Sequence, residues 1–260
     1  MLKKKRQSFT IRMAMVTEPS MLCNIKTKTK RLEFCLHLRI KQSGVMLFGT
    51  KRQTHMQKFD FTLDVRKVYT FDEYLTLTQD LLAQNKTTGP NQSESMIHYT
   101  AMNLKRMQRV LKIFKISEEL QETIKSIDQP QTWLVLSEAW CGDAAHSVPA
   151  IAMLADLNPN IYFKIILRDE NLDIMDEFLT RGGRSIPKLI AYDAENKIHF
   201  TWGPRPEAAQ EVYNVYLNNK ETMTYDDIAK DLQLWYSKDR GKSLQEELQA
   251  LLQSLPAQSV

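Results

Sequence analysis

The stretch Trp133-Leu134-Val135-Leu136-Ser137-Glu138-Ala139-Trp140-Cys141-Gly142-Asp143-Ala144-Ala145-His146-Ser147-Val148-Pro149 decides the fold of this chain. It reads as a buried strand, a tight turn and then a helix. The run Trp133 to Leu136 is short, apolar and β-rich, as a parallel core strand should be. Gly142 lets the chain turn, and Asp143 suits the positive first turn of a helix. Cys141 therefore stands where a strand ends and a helix begins, the place where a thiolate is best stabilised.

C-terminal to this stretch the elements alternate. Ile161 to Leu167 is a second buried strand, and Leu172 to Leu179 is a helix stopped by Gly182-Gly183. Arg184-Ser185-Ile186-Pro187 leads into a third strand, Lys188 to Tyr192. Asp193-Ala194-Glu195-Asn196 makes a hairpin turn into a fourth, Ile198 to Trp202. Gly203-Pro204-Arg205-Pro206 breaks that strand and opens a helix, with proline in the first turn. The order β-α-β-α-β-β-α implies a four-stranded mixed sheet. A helix joins the first two strands, so they should be parallel, and the last two should form an antiparallel hairpin. From Thr224 two further helices follow, the second opened by a capping box at Ser243-Leu244-Gln245-Glu246.

N-terminal to the stretch the pattern is helical. Thr70 can cap a helix through Phe71, Tyr74, Leu75, Leu77, Leu81 and Leu82. Lys86 to Gln92 is a turn-rich connector, and Ser93 caps a second helix through Met96, Tyr99, Met102, Met107, Val110, Leu111 and Phe114. Phe71, Leu75, Met107, Leu111 and Phe114 are expected to pack on the α/β core. Lys105, Arg106, Arg109, Lys112 and Lys115 form a basic face without interleaved aromatic residues, which reads as a solvated surface rather than a nucleic-acid site. A short third helix, Ser117 to Ile127, closes the segment at Asp128-Gln129-Pro130.

The formal charge of +4 conceals an asymmetry. Residues 1–55 carry 13 Lys/Arg against 2 Asp/Glu, and residues 56–260 carry 22 against 29. The leader lacks the apolar stretch of a signal peptide and the serine content of a transit peptide. It is expected to be poorly ordered, with Met56 as an alternative initiator. The expected division is a basic leader at 1–55, a helical segment at 56–130, an α/β core at 131–220 and a helical tail at 221–260. No run of eighteen apolar residues offers a membrane span. The three cysteines, Cys23, Cys35 and Cys141, form no paired spacing for zinc or a disulfide framework, which points to a reducing compartment, the cytoplasm. Neither a metal nor another cofactor is implied, and neither nucleic acid nor membrane is expected as a partner. Oligomeric state is left open.

Trp140-Cys141-Gly142-Asp143, with proline eight residues after the cysteine, resembles the active-site turn of thioredoxins. The pieces Lys86 to Ser93, Trp140 to Ala145, Leu167 to Asn171, Gly182 to Lys188 and Thr201 to Pro206 resemble a group of bacterial thioredoxin family proteins. They are most similar to those of Bacteroidetes, which carry an all-helical segment before the core. The resemblance covers about residues 70–218. It implies a thioredoxin-like α/β fold, a cis-proline at Pro187 facing the thiol, and a groove lined by Trp140, Gly142, Asp143, Ile186, Pro187 and Gly203. The family's second cysteine falls at Ala144, and its buried carboxylate, six residues before the first cysteine, falls at Val135.

The chemistry at Cys141 then depends on its neighbours. The helix N-terminus lowers a thiol pKa. Arg184 and Arg205 could add positive charge opposite the sulfur, whereas Asp143 and Glu138 would raise its pKa. Glu138 is expected as an exposed strand-end residue and His146 as a helix-surface one. Three functions stay open: a monothiol oxidoreductase acting on protein or low-molecular-weight disulfides, with an outside thiol resolving the mixed disulfide; a peptide-binding module in which the thiol is incidental; and a buried cysteine that only packs.

Overall fold

Alternation is absent from Gln131–Ser137 because both faces of this strand, β1, are covered; every residue except Thr132 is buried. The computed structural model describes residues 58–255. The leader, with Cys23, Cys35 and the expectation of poor order, lies outside these residues. β1 pairs in parallel with β2 (Ile161–Leu167), Gln131 opposite Ile161 and Ser137 opposite Leu167. Its other edge pairs antiparallel with β3 (Lys188–Asp193), which pairs antiparallel with β4 (Ile198–Trp202). The sheet order is β2-β1-β3-β4, so the strand that carries the cysteine turn lies inside the sheet. This is the expected four-stranded mixed sheet.

Four helices precede or flank β1 and its turn: α1 (Phe71–Ala83), α2 (Glu94–Ile113), α3 (Glu118–Lys125) and α4 (Gly142–Ala155). α1 opens on a capping box, in which the Thr70 hydroxyl accepts the Glu73 N–H and the Glu73 carboxylate accepts the Thr70 N–H. Ser93 holds the N-cap position of α2 without a side-chain bond. α4 is buried on nearly every side, and its alanines let it lie between the sheet and α2. Trp133, Tyr74, Leu134, Leu136, Ile151 and Leu154 anchor one continuous core. Each such side chain contributes about 1.5–3 kcal/mol through burial. Met107 and Phe114 belong to this core and Phe71 and Leu75 pack against it, but Leu111 is exposed, one position off the apolar stripe of α2.

After β2, α5 (Leu172–Glu177) is shorter than its sequence pattern suggests. α6 (Glu207–Asn218) follows β4, with Pro206 at the N-cap rather than inside the first turn. The tail folds as α7 (Tyr225–Asp239) and α8 (Lys242–Gln253). Leu244, Leu248 and Leu252 join the main core, while Ile228, Leu232 and Tyr236 of α7 form a smaller cluster with Ala209 of α6. The capping box expected at Ser243 is not made. Gly241 is the N-cap, and Asp239 from the end of α7 instead accepts the backbone N–H of Gly241 and both the N–H and hydroxyl of Ser243. Glu246 pairs with Lys242. A carboxylate placed before the corner outcompetes a serine placed after it.

Candidate functional site

Cys141 is the N-cap residue of α4, with extended backbone dihedrals. Its Sγ accepts the Ala144 N–H at 3.5 Å and donates to the Ile186 carbonyl oxygen at 3.3 Å. The Ile186–Pro187 peptide is cis, and so is Gly203–Pro204, which the sequence reading did not anticipate. Gly203 has a φ of 110°, and a Cβ there would fall on the Pro187 carbonyl oxygen. Only glycine lets this loop close on the proline. Cys141, Gly142, Ile186, Pro187 and Gly203 thus lie together. Ala144, 2% exposed, fills the position of a second cysteine.

The charges are arranged differently from expectation. Arg184 does not face the thiol; its guanidinium lies at the surface and bonds both carboxylate oxygens of Asp176, eight residues earlier. Arg205 does reach the site, but to bond Asp143 Oδ2 through Nε at 3.1 Å and Nη2 at 2.6 Å. The Tyr236 hydroxyl from α7 donates to the other oxygen of Asp143 at 2.7 Å. Asp143 is therefore the centre of a buried ion pair. Burial, with Asp143's charge second, pushes the Cys141 thiol up to about 12. The Ala144 and Asp143 N–H groups and Arg205 pull it down by less. The expected lowering by the helix terminus is present but outweighed, because Cys141 is only 8% exposed.

Glu138 corrects a second expectation: it is completely buried. Oε1 accepts the Asp169 N–H at 2.9 Å, whereas Oε2 has no hydrogen-bond partner among the described residues. Burial raises its pKa to about 7, only partly offset by the Thr88 hydroxyl and the Asp169 N–H. The next residue, Ala139, is held at both ends by the N-terminal helical segment. Its N–H donates to Thr88 Oγ1 at 2.9 Å, and its carbonyl accepts from Asn103 Nδ2 at 3.0 Å. Half-buried Trp140 lies under the Arg168 guanidinium, 5.0 Å from the ring centroid, and Arg168 is fixed by Asp169 Oδ1.

His146 is not a surface residue. Its ring stacks on Tyr236 at 4.3 Å and 3° and bonds Gln233 at 2.7 Å, and burial lowers its pKa. Gln233 also lies over Gly142. The residues that sequence reasoning missed are thus Thr88, Asn103, Asp169, Gln233 and Tyr236. The Thr87-Thr88-Gly89-Pro90 and Arg168-Asp169 pieces were visible as motifs, but nothing in them assigns a partner tens of residues away. Gln233 and Tyr236 carry no local signal beyond helical periodicity.

Among the described residues no group of three or more His, Cys, Asp or Glu is placed to hold a metal, and no helix is long and apolar enough to cross a membrane. No curated protein matches the chain. Among solved structures, an HIV epitope-scaffold is similar over 68% of this chain and 98% of that one, with 19% identity and a TM-score of 0.45. A protein of unknown function from Pseudomonas aeruginosa is similar over 71% and 98%, with 18% identity and a TM-score of 0.44. The family model for thioredoxin matches residues 89–224, more than half of the 260 residues, from the Thr88–Gly89 turn to the start of α7. The chain belongs to the thioredoxin family.

Proposed function

We propose that the protein performs monothiol thiol–disulfide exchange through Cys141, in a bacterial cytoplasm where small thiols are at hand. The observation that carries this is the pairing of Cys141 with Ala144: a sulfur at a helix N-terminus, its capping N–H supplied by the alanine that stands where a resolving cysteine would be. The Cys141 proton, directed at the Ile186 carbonyl at rest, passes first to a solvent base. The thiolate attacks one sulfur of a protein or low-molecular-weight disulfide. A new S–S bond to Cys141 forms as the old one breaks, and the departing sulfur takes up a proton. A low-molecular-weight thiolate then attacks the mixed disulfide and regenerates Cys141. The Ala144 N–H supports the thiolate, and the half-buried Trp140 and Arg205 with the Ile186–Pro187 backbone offer a surface for the substrate chain.

A second reading has its own support. Burial, and after it the charge of Asp143, hold the thiol protonated, as suits a peptide-binding module in which the cysteine only packs. The two separate on the full chain carrying Cys23→Ser and Cys35→Ser. For exchange, iodoacetamide modifies native Cys141 at a rate that keeps rising above pH 9, and glutathione disulfide yields a Cys141 mixed disulfide that added thiol clears. Ala144→Cys then brings turnover without the added thiol. No modification of the native protein at any pH favours the binding module. Exchange undiminished by Cys141→Ser overturns the thiol reading altogether.

A further inference from the structure

A cavity of about 180 Å³ lies between α2, α4 and the corner joining α7 to α8, and Cys141 is not among the residues that line it. Its apolar lining comes from Val110, Ile113, Phe114 and Leu244. The corner seats on the Phe114 ring because Gly241, at φ 81°, has no Cβ; one would stand 2.6 Å from that ring. The stacked His146 and Tyr236 rings form a second, flat wall.

The polar lining is unbalanced. Arg106, Arg109 and Arg240 all border the cavity, and among the described residues none of the three makes an ion pair. The one carboxylate there, Asp239, is already engaged by the N–H groups of Gly241 and Ser243 and by the Ser243 hydroxyl. Arg106 is half-buried, with a single side-chain bond to Asn103 Oδ1 at 2.7 Å, and burial lowers its pKa. A cation in such a place gains from a counter-anion, and the guanidinium fork matches a carboxylate.

We propose that this cavity binds a small monocarboxylate with a flat or compact apolar body, its carboxylate met by Arg106 and Arg109. The apolar body lies between Val110, Phe114 and Leu244 and the face of the His146–Tyr236 pair. A cavity of about 150 Å³ accepts benzene, so the body is about one ring with a short arm. Nothing in this depends on the redox state of Cys141.

The probe is 3-phenylpropionate, titrated calorimetrically into the full chain, with 3-phenylpropanamide as its neutral counterpart. One saturable site is expected, with the amide about tenfold or more weaker, since a hydrogen bond to a charged group is lost. Arg109→Gln, at an exposed position where folding is not at stake, should weaken the carboxylate by about tenfold. Arg106→Gln should do the same, and Cys141→Ser should bind as the parent does, which keeps this site separate from the thiol reading. No saturable binding overturns the proposal. So does equal affinity for acid and amide, or parental affinity in both arginine variants.

Discussion

The cysteine turn is held from two sides, and the two sides use different chemistry. On the strand side, the N-terminal helical segment holds Ala139 through neutral hydrogen bonds, its N–H donating to Thr88 and its carbonyl accepting from Asn103, and Glu138 is buried with no ion pair among the described residues. On the helix side, Asp143 is met by the Arg205 guanidinium and the Tyr236 hydroxyl. Two carboxylates five residues apart are thus buried in opposite ways. The one with a cation is a structural ion pair that works against the thiolate. The one with only neutral partners gives up its charge near neutral pH, so the strand side is the pH-sensitive half of the site.

The largest effect should come from breaking the ionic side. Asp143→Ala leaves the Arg205 guanidinium, with 12% of its side chain exposed, without its partner. Removing one member of a buried pair costs about 3–5 kcal/mol. Urea unfolding of the variant should show a loss of that size. A loss below about 1 kcal/mol would show that the pair is screened by solvent and that the two sides do not differ as described. The same substitution removes the second-largest cause of the raised thiol pKa, so Cys141 should be alkylated at lower pH than in the parent.

The strand side should respond to pH instead. The folded Glu138 pKa, about 7, lies above the ordinary glutamate value of 4.5. The folded state thus favours the protonated form more than the unfolded chain does. Below about pH 4.5 both states hold the proton and there is no penalty; as pH rises toward 7 the unfolded chain releases it first, and stability falls. The full penalty is on the order of 3 kcal/mol above pH 7. Glu138→Gln keeps an acceptor for the Asp169 N–H but cannot ionise. Its urea midpoint should lose the decline that the parent shows between pH 5 and 8. Parallel declines in both would assign the pH dependence to other groups.

What was legible in the sequence follows from how local each cause is. The strand Ile198–Trp202 alternates apolar and polar residues, β2 is apolar but for Lys164, both are bounded by turn residues, and their limits match the structure. Cys141 and Gly142 were legible as a strand-to-helix turn, whereas the places of Pro187 and Gly203 beside the thiol came from the resemblance to thioredoxins and not from any local pattern. Glu138 was misread because it follows Ser137 at a strand end, where a charged residue usually meets water. Its burial comes from Thr88 and the Asp169 turn, 50 and 31 residues away. Arg184 was misplaced for the converse reason: Asp176, outside the quoted motifs, captures it at the surface. His146 needed α7, whose position no local pattern shows.

The smallest effect is the one that tests whether the two sides are independent. Thr88→Val leaves the Ala139 N–H buried without an acceptor and should cost about 1–3 kcal/mol. Tyr236→Phe takes one donor from Asp143 and should cost a similar amount, since its acceptor is charged. The two hydroxyls share no partner: one bonds the backbone before Cys141, the other a side chain after it. Substitutions without shared partners add to within about 0.3–0.5 kcal/mol. The double variant should therefore show a coupling energy no larger than that, measured well below pH 4.5, where Glu138 is protonated in both states. A coupling above about 1 kcal/mol would mean that the cysteine turn transmits strain from Ala139 to Asp143. The strand side and the helix side would then be one device, and a charge change at Glu138 would be felt at Tyr236.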